Sequence, residues 1–230
     1  MNISEELQIA YKIANKEINH FPYPHMYISN IFTDKFYTEI INCLPKFDQL
    51  RTISEVRPVT KGAYKERFAL NLDDESLSAL DDKEKLFWIS FRNQFLSGGL
   101  KNFLLSSKFS PYIKSRFPNH EDLTFHDELL LINDTLNYSL GPHTDTPRKV
   151  MSFLFYLPKD NSQINLGTSI YYPKDHSFNC MGNAHHAHDD FIKIHTNDYL
   201  PNSLFCFVKT NNSFHGVEKI VTDERRWVLL

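Results

Sequence analysis

Cysteine is scarce in this chain: Cys43, Cys180 and Cys206 are three in 230 residues, widely spaced and odd in number. That argues against a disulfide framework and fits a reducing compartment. Long apolar runs are missing too. Stretches such as Phe153 to Leu157 fall far short of the ~20 residues a membrane helix needs. Neither sign of charge dominates, with 25 Lys and Arg against 28 Asp and Glu, a formal net charge of -3. Cationic clusters are no longer than Arg148-Lys149 or Arg225-Arg226, so nothing in the charge pattern calls for nucleic acid or a membrane surface. The opening Met1-Asn2-Ile3-Ser4-Glu5-Glu6 is polar and acidic, unlike a signal peptide. Internal repeats, low-complexity tracts and linkers are absent. The expectation is one soluble, cytoplasmic domain over residues 1–230, long enough for one substantial core.

The first half reads as mainly helical support, over residues 1–124. Ser4 is placed to cap a helix whose apolar positions Leu7, Ala10, Ile13, Ala14 and Ile18 follow helical spacing. Met26-Tyr27-Ile28 is strand-like. A second helix begins near Thr33, carries Phe36, Ile40, Ile41 and Leu44 on one stripe, and stops at Pro45. A third runs from about Asp82 to Leu96, with Phe87, Trp88, Phe91 and Phe95 inward and Gly98-Gly99 as its stop. Tyr64 to Leu72 looks extended, a strand available to a later sheet.

From about Phe125 the pattern changes to short β-branched and aromatic runs separated by turn residues. They are Leu129 to Tyr138, Lys149 to Leu157, Thr168 to Tyr172, Phe191 to His195, Ser203 to Lys209 and Arg225 to Leu230. The fold class is therefore α+β: a helical amino-terminal layer packed on a double-stranded β-helix, or jelly roll, over residues 125–230.

His-x-Asp occurs three times among eleven histidines. His120-Glu121-Asp122 has no strand leading into it. His188-Asp189-Asp190 lies too close to the next candidate ligand, His215, for the intervening strands. His143-Thr144-Asp145 alone falls between two strand runs, with enough chain before His215 to cross a barrel and return. Two imidazoles and a carboxylate form the facial triad that holds non-haem Fe(II) and leaves coordination positions open. Arg225, ten residues past His215, offers a planar charged fork for a carboxylate. Arg226 competes with it, because successive strand side chains face opposite ways; the ten-residue spacing favours Arg225.

Residues 137–158, Asn-Tyr-Ser-Leu-Gly-Pro-His-Thr-Asp-Thr-Pro-Arg-Lys-Val-Met-Ser-Phe-Leu-Phe-Tyr-Leu-Pro, resemble the first-ligand region of the 2-oxoglutarate/Fe(II)-dependent oxygenases, nearest the prolyl-hydroxylase-like branch. Leu204-Phe-Cys-Phe-Val-Lys-Thr-Asn-Asn-Ser-Phe-His-Gly-Val-Glu218 resembles the second-ligand region, and Leu166-Gly-Thr-Ser-Ile-Tyr171 the Gly-led strand between them. The resemblance implies Fe(II) on His143, Asp145 and His215, and 2-oxoglutarate with its distal carboxylate on Arg225. Tyr156 would donate a hydrogen bond to that carboxylate, although an aromatic on a barrel strand is also ordinary core. Dioxygen would be the oxidant, ascorbate a supporting reductant, and succinate and carbon dioxide the co-products of hydroxylation. Related halogenases lack the carboxylate, so Asp145 favours oxygenation.

The substrate is open between a peptidyl residue and a small molecule. Two rivals stay open as well: a cupin-like metalloenzyme that uses no 2-oxoglutarate, and a non-enzymatic jelly-roll binding module. His185, His186 and His188 near Cys180 form a dense cluster that reads as zinc site, substrate-facing loop or solvated loop. Arg67 reads first as a surface salt bridge, and second as a residue that reaches the site from its extended segment to meet an anionic substrate.

Overall fold

Two antiparallel sheets organise the chain, and the inner face of each meets the other. A computed structural model describes residues 4–59, 64–96, 99–119, 122–182 and 184–230. Met1, Asn2, Ile3, Gly98, His120 and Glu121, which figure in the expectations above, lie outside them. The larger sheet has seven strands: β1 (His25–Ser29), β2 (Arg51–Thr52), β3 (Arg67–Asn71), β4 (Leu130–Asp134), β6 (Met151–Tyr156), β9 (Ser203–Val208) and β11 (Arg226–Leu229). Their order is β1-β9-β6-β11-β4-β3-β2. The smaller sheet holds β5 (Leu140–His143), β7 (Ser169–Pro173), β8 (Phe191–Thr196) and β10 (His215–Val217), in the order β5-β10-β7-β8.

The amino-terminal half is more than support, because it supplies β1, β2 and β3 of the larger sheet. Helices α1 (Glu5–Asn15), α2 (Asp34–Asn42) and α5 (Asp82–Phe95) form where the periodicity placed them. The Ser4 hydroxyl accepts from Leu7 N, and Thr33 caps α2 in the same way. Between α2 and α5 lie two single-turn helices, α3 (Ile53–Val56) and α4 (Asp74–Leu77). After α5 come α6 (Gly99–Ser106) and α7 (Ser110–Arg116), which the sequence did not announce.

Strand alternation on β6, β9 and β11 distributes side chains between two of the core's clusters. On β9, Leu204, Cys206 and Val208 face outward into one cluster with Ile9, Ile13, Trp88, Phe91 and Phe95 of the helices. Phe205 and Phe207 face the other way and join Tyr156, Val228 and Ile170 between the sheets. β6 and β11 divide likewise: Phe155 and Leu229 outward, Tyr156 and Val228 inward. The larger sheet is thus buried on both faces, and its inner face looks onto the ends of β5 and β10.

The long run Leu129 to Tyr138 resolves into β4 and a turn rather than one strand. Asn137 takes φ 70°, a left-handed conformation asparagine tolerates, and the chain then crosses to β5 in the other sheet.

Candidate metal centre

His143 is the last residue of β5 and His215 the first of β10, and they stand directly opposite in the antiparallel register. Asp145 follows two residues beyond the strand end. Ligand atoms of His143, Asp145 and His215 all lie within 4.8 Å of one another, and they are the group of this kind among the described residues.

The two imidazoles are held by the same device. His143 Nδ1 lies 3.1 Å from the Gly141 carbonyl, and His215 Nδ1 lies 2.9 Å from the Ser213 carbonyl. A carbonyl can only accept, so Nδ1 carries the proton and Nε2 keeps its lone pair, as a metal-ligating histidine requires. Burial lowers the pKa of both rings, and for His143 the neighbouring His215 lowers it further. Both are therefore neutral ligands at neutral pH. Burial alone would raise the Asp145 pKa, but the Lys149 ammonium, the two imidazoles and the Ser152 hydroxyl together hold it below the usual carboxylate range. Ser152 Oγ donates to one Asp145 oxygen at 2.5 Å, and Lys149 Nζ lies 3.2 Å from the other. Two fixed Nε2 lone pairs and an oriented carboxylate fit a divalent cation that prefers nitrogen and oxygen ligands.

The loop that carries Lys149 is itself clamped. Arg116, at the end of α7, donates to the carbonyls of Pro147, Lys149 and Lys209. Lys209 Nζ in turn donates to the Met181 carbonyl at 2.6 Å. Neither cation was marked by the sequence, since loop carbonyls leave no pattern in it.

A cavity of about 440 Å³ opens beside the triad, within the range of small-molecule sites. Its walls include Tyr64, Arg67, Tyr138, Leu154, Val217 and Val228. Arg226 lines it from β11. Arg225, expected from the sequence to take the 2-oxoglutarate carboxylate, is not among the lining residues: it is exposed and stacks over the Phe47 ring at 3.9 Å. β11 begins at Arg226, whose register partner is the inward Asp134, so alternation turns Arg226 in and Arg225 out. Counting residues from His215 ignores that phase. Each nitrogen of the Arg226 guanidinium donates once, Nη1 to Asp134 at 2.8 Å, Nη2 to Thr168 Oγ1 at 3.1 Å and Nε to the Leu166 carbonyl at 2.5 Å, which leaves a second N–H on each Nη. Tyr156 is buried beside it, with its hydroxyl accepting from Thr168 N at 2.9 Å and its own proton left to donate.

Arg67 is no surface ion pair. It makes a two-point contact with the fully buried Asp134, at 2.6 and 3.0 Å, and lies over the Tyr138 ring. The three loop histidines part company. His185 stacks on His143 with ring centroids 4.7 Å apart and contacts the Tyr64 hydroxyl. His186 packs among Phe178, Phe191 and Phe214, and His188 lies against Tyr171.

No family model matches the chain, and no curated protein does. Solved structures do match. A prolyl hydroxylase from Trichoplax adhaerens, in complex with a hypoxia inducible factor oxygen degradation domain peptide, superposes with a TM-score of 0.55 at 15% identity, over 98% of this chain and 87% of that one. The fold is that of the prolyl hydroxylases. A Pseudomonas putida prolyl-4-hydroxylase gives 0.53 at 11% identity, over 98% of this chain and 97% of its own. The expected jelly-roll core therefore takes the form of two opposed antiparallel sheets. The two histidines stand on the smaller sheet, Asp145 just beyond the end of β5, and Arg67 and Arg226 on the larger sheet.

Proposed function

We propose that the protein is a 2-oxoglutarate/Fe(II)-dependent oxygenase that hydroxylates its substrate. One observation carries the reading. Two lone-pair nitrogens and an oriented carboxylate converge at the wall of a cavity that Arg226, a buried arginine, also lines. The prolyl-hydroxylase fold supports it. His143, Asp145 and His215 would hold the iron, with Ser152 and Lys149 orienting Asp145. Arg226, flanked by Thr168 and Tyr156, would receive the distal carboxylate of 2-oxoglutarate, the role expected of Arg225 from the sequence. When bound, the iron activates dioxygen, and 2-oxoglutarate supplies two electrons as it becomes succinate and carbon dioxide. Leu154, Val217 and Val228 give the cavity an apolar lining that limits water near the reacting centre.

The test is an anaerobic titration of the metal-free protein with Fe(II) and then 2-oxoglutarate. A weak visible charge-transfer band that needs both additions is expected, absent in His215→Ala. In Arg226→Gln, Fe(II) should still bind while 2-oxoglutarate affinity collapses. Tight Fe(II) binding with no band would replace this reading with a metalloenzyme that uses no 2-oxoglutarate. Failure to bind either would leave a binding module.

A further inference from the structure

We propose that the molecule oxidised at this site carries a carboxylate, received by Arg67. The proposal rests on the oxygenase reading and adds to it the chemical class of the substrate.

Its basis is a row of charges laid across three adjacent strands. Arg67 on β3 and Arg226 on β11 are both register partners of Asp134 on β4, so the three side chains stand side by side on the inner face. Strand spacing sets the two arginines about 10 Å apart at the backbone, far enough to serve separate anions. They are not equivalent. Arg226 is 1% exposed and has an acceptor for each of its three nitrogens. Arg67 is 16% exposed, commits Nε and Nη2 to Asp134, and leaves Nη1 with no acceptor among the described residues. It lines the same cavity as His143, His185 and His215. In the same wall the buried Tyr138 hydroxyl has no hydrogen-bond partner, and burial keeps it protonated as a donor.

Charge then selects the ligand. The cations on the cavity are Arg57, Arg67, Lys149 and Arg226. Glu128 neutralises Arg57, Asp145 offsets Lys149, and Asp134 offsets one of the two remaining arginines. One positive charge is left over. A divalent iron and dianionic 2-oxoglutarate cancel each other, so that excess survives loading. It matches a single negative charge such as a carboxylate carries, whereas a phosphate dianion would exceed it; the open edge of the guanidinium receives the carboxylate.

The test titrates protein loaded with redox-inert Zn(II) and 2-oxoglutarate with a matched probe pair, N-acetyl-L-phenylalanine and N-acetyl-L-phenylalaninamide. In the wild type the carboxylate should bind at least about tenfold more tightly than the amide, the scale of one charge-assisted contact. Arg67→Gln should remove that preference while 2-oxoglutarate affinity stays within about threefold. Equal affinity of the two probes for the wild type overturns the proposal, and that comparison needs no variant to fold. Loss of 2-oxoglutarate binding in Arg67→Gln with the probe preference intact would assign Arg67 to the co-substrate. That result also overturns it, and leaves the oxygenase reading standing. If the wild type binds neither metal nor 2-oxoglutarate, the oxygenase reading fails by itself. The same pair is then titrated against metal-free protein, where an Arg67-dependent preference keeps the carboxylate site and its absence removes it.

Discussion

His143 and Ser152 never touch, yet both act on the geometry of Asp145: the first fixes where β5 ends, the second holds the carboxylate two residues later at 2.5 Å. Ser152 faces the cavity from β6 of the opposite sheet, so the triad is completed only when the two sheets close on each other. This makes Ser152 a positioning residue.

Ser152→Ala should therefore weaken metal binding by about 10- to 100-fold, the usual cost of losing an outer partner of a ligand. Competition against a chromogenic chelator, with Zn(II) and Mn(II), measures it. Affinity unchanged within twofold would mean that Lys149 alone orients Asp145.

Asp134 is fully buried between two guanidiniums, and removing it leaves two cations with lost partners. Asp134→Asn should destabilise the fold by about 3–5 kcal/mol, as breaking a buried ion pair does. Urea denaturation of the metal-free protein measures it. A loss under 1 kcal/mol, the ordinary worth of an exposed pair, would show that water reaches this row.

The grouping of His143, Asp145 and His215 was legible in the sequence because His-x-Asp is local and the runs on either side were recognisably strands. Which arginine lines the cavity was not. β11 is buried on both faces, so Trp227-Val228-Leu229 shows no polar alternation from which to read its phase, and one residue of phase decides between Arg225 and Arg226. Arg67 was misjudged as a surface ion pair for a related reason: its partner Asp134 lies 67 positions away and meets it only through strand pairing. His185 reaches His143 from a loop without periodicity. Helices α6 and α7 were hidden because Gly98-Gly99 read as a stop, whereas a helix restarts at Gly99.

The buried imidazoles set the pH response of the metal-free protein. Burial holds the folded-state pKa of both His143 and His215 below the ordinary histidine value of about 6.5. As pH falls through 6.5 the unfolded chain takes up protons that the folded protein does not, so stability falls until the lowered folded values are reached. The expected slope between pH 6.5 and 5 is up to about 1.4 kcal/mol per pH unit for each histidine. Denaturation midpoints across that range, in wild type and His215→Phe, measure it. A variant whose slope matches the wild type would show that His215 gains its proton without cost in the fold.

Gly216 sits immediately after His215, at the register shift between the two pairs that join β10 to β5. A Cβ there would lie 2.4 Å from the Leu140 carbonyl oxygen and 3.1 Å from a Tyr171 ring carbon. The near atom is backbone, so it can yield only if β5 moves away from β10, and that movement separates His143 from His215. Gly216→Ala should cost about 1–3 kcal/mol of stability, in the range of overpacked sites. Its larger effect should fall on metal affinity, because all three ligands depend on the β5–β10 spacing. Thermal melts and chelator competition on the same sample separate the two effects. If stability drops while metal affinity is kept, the strands part elsewhere and the triad is held by its carbonyl and hydroxyl partners rather than by the sheet.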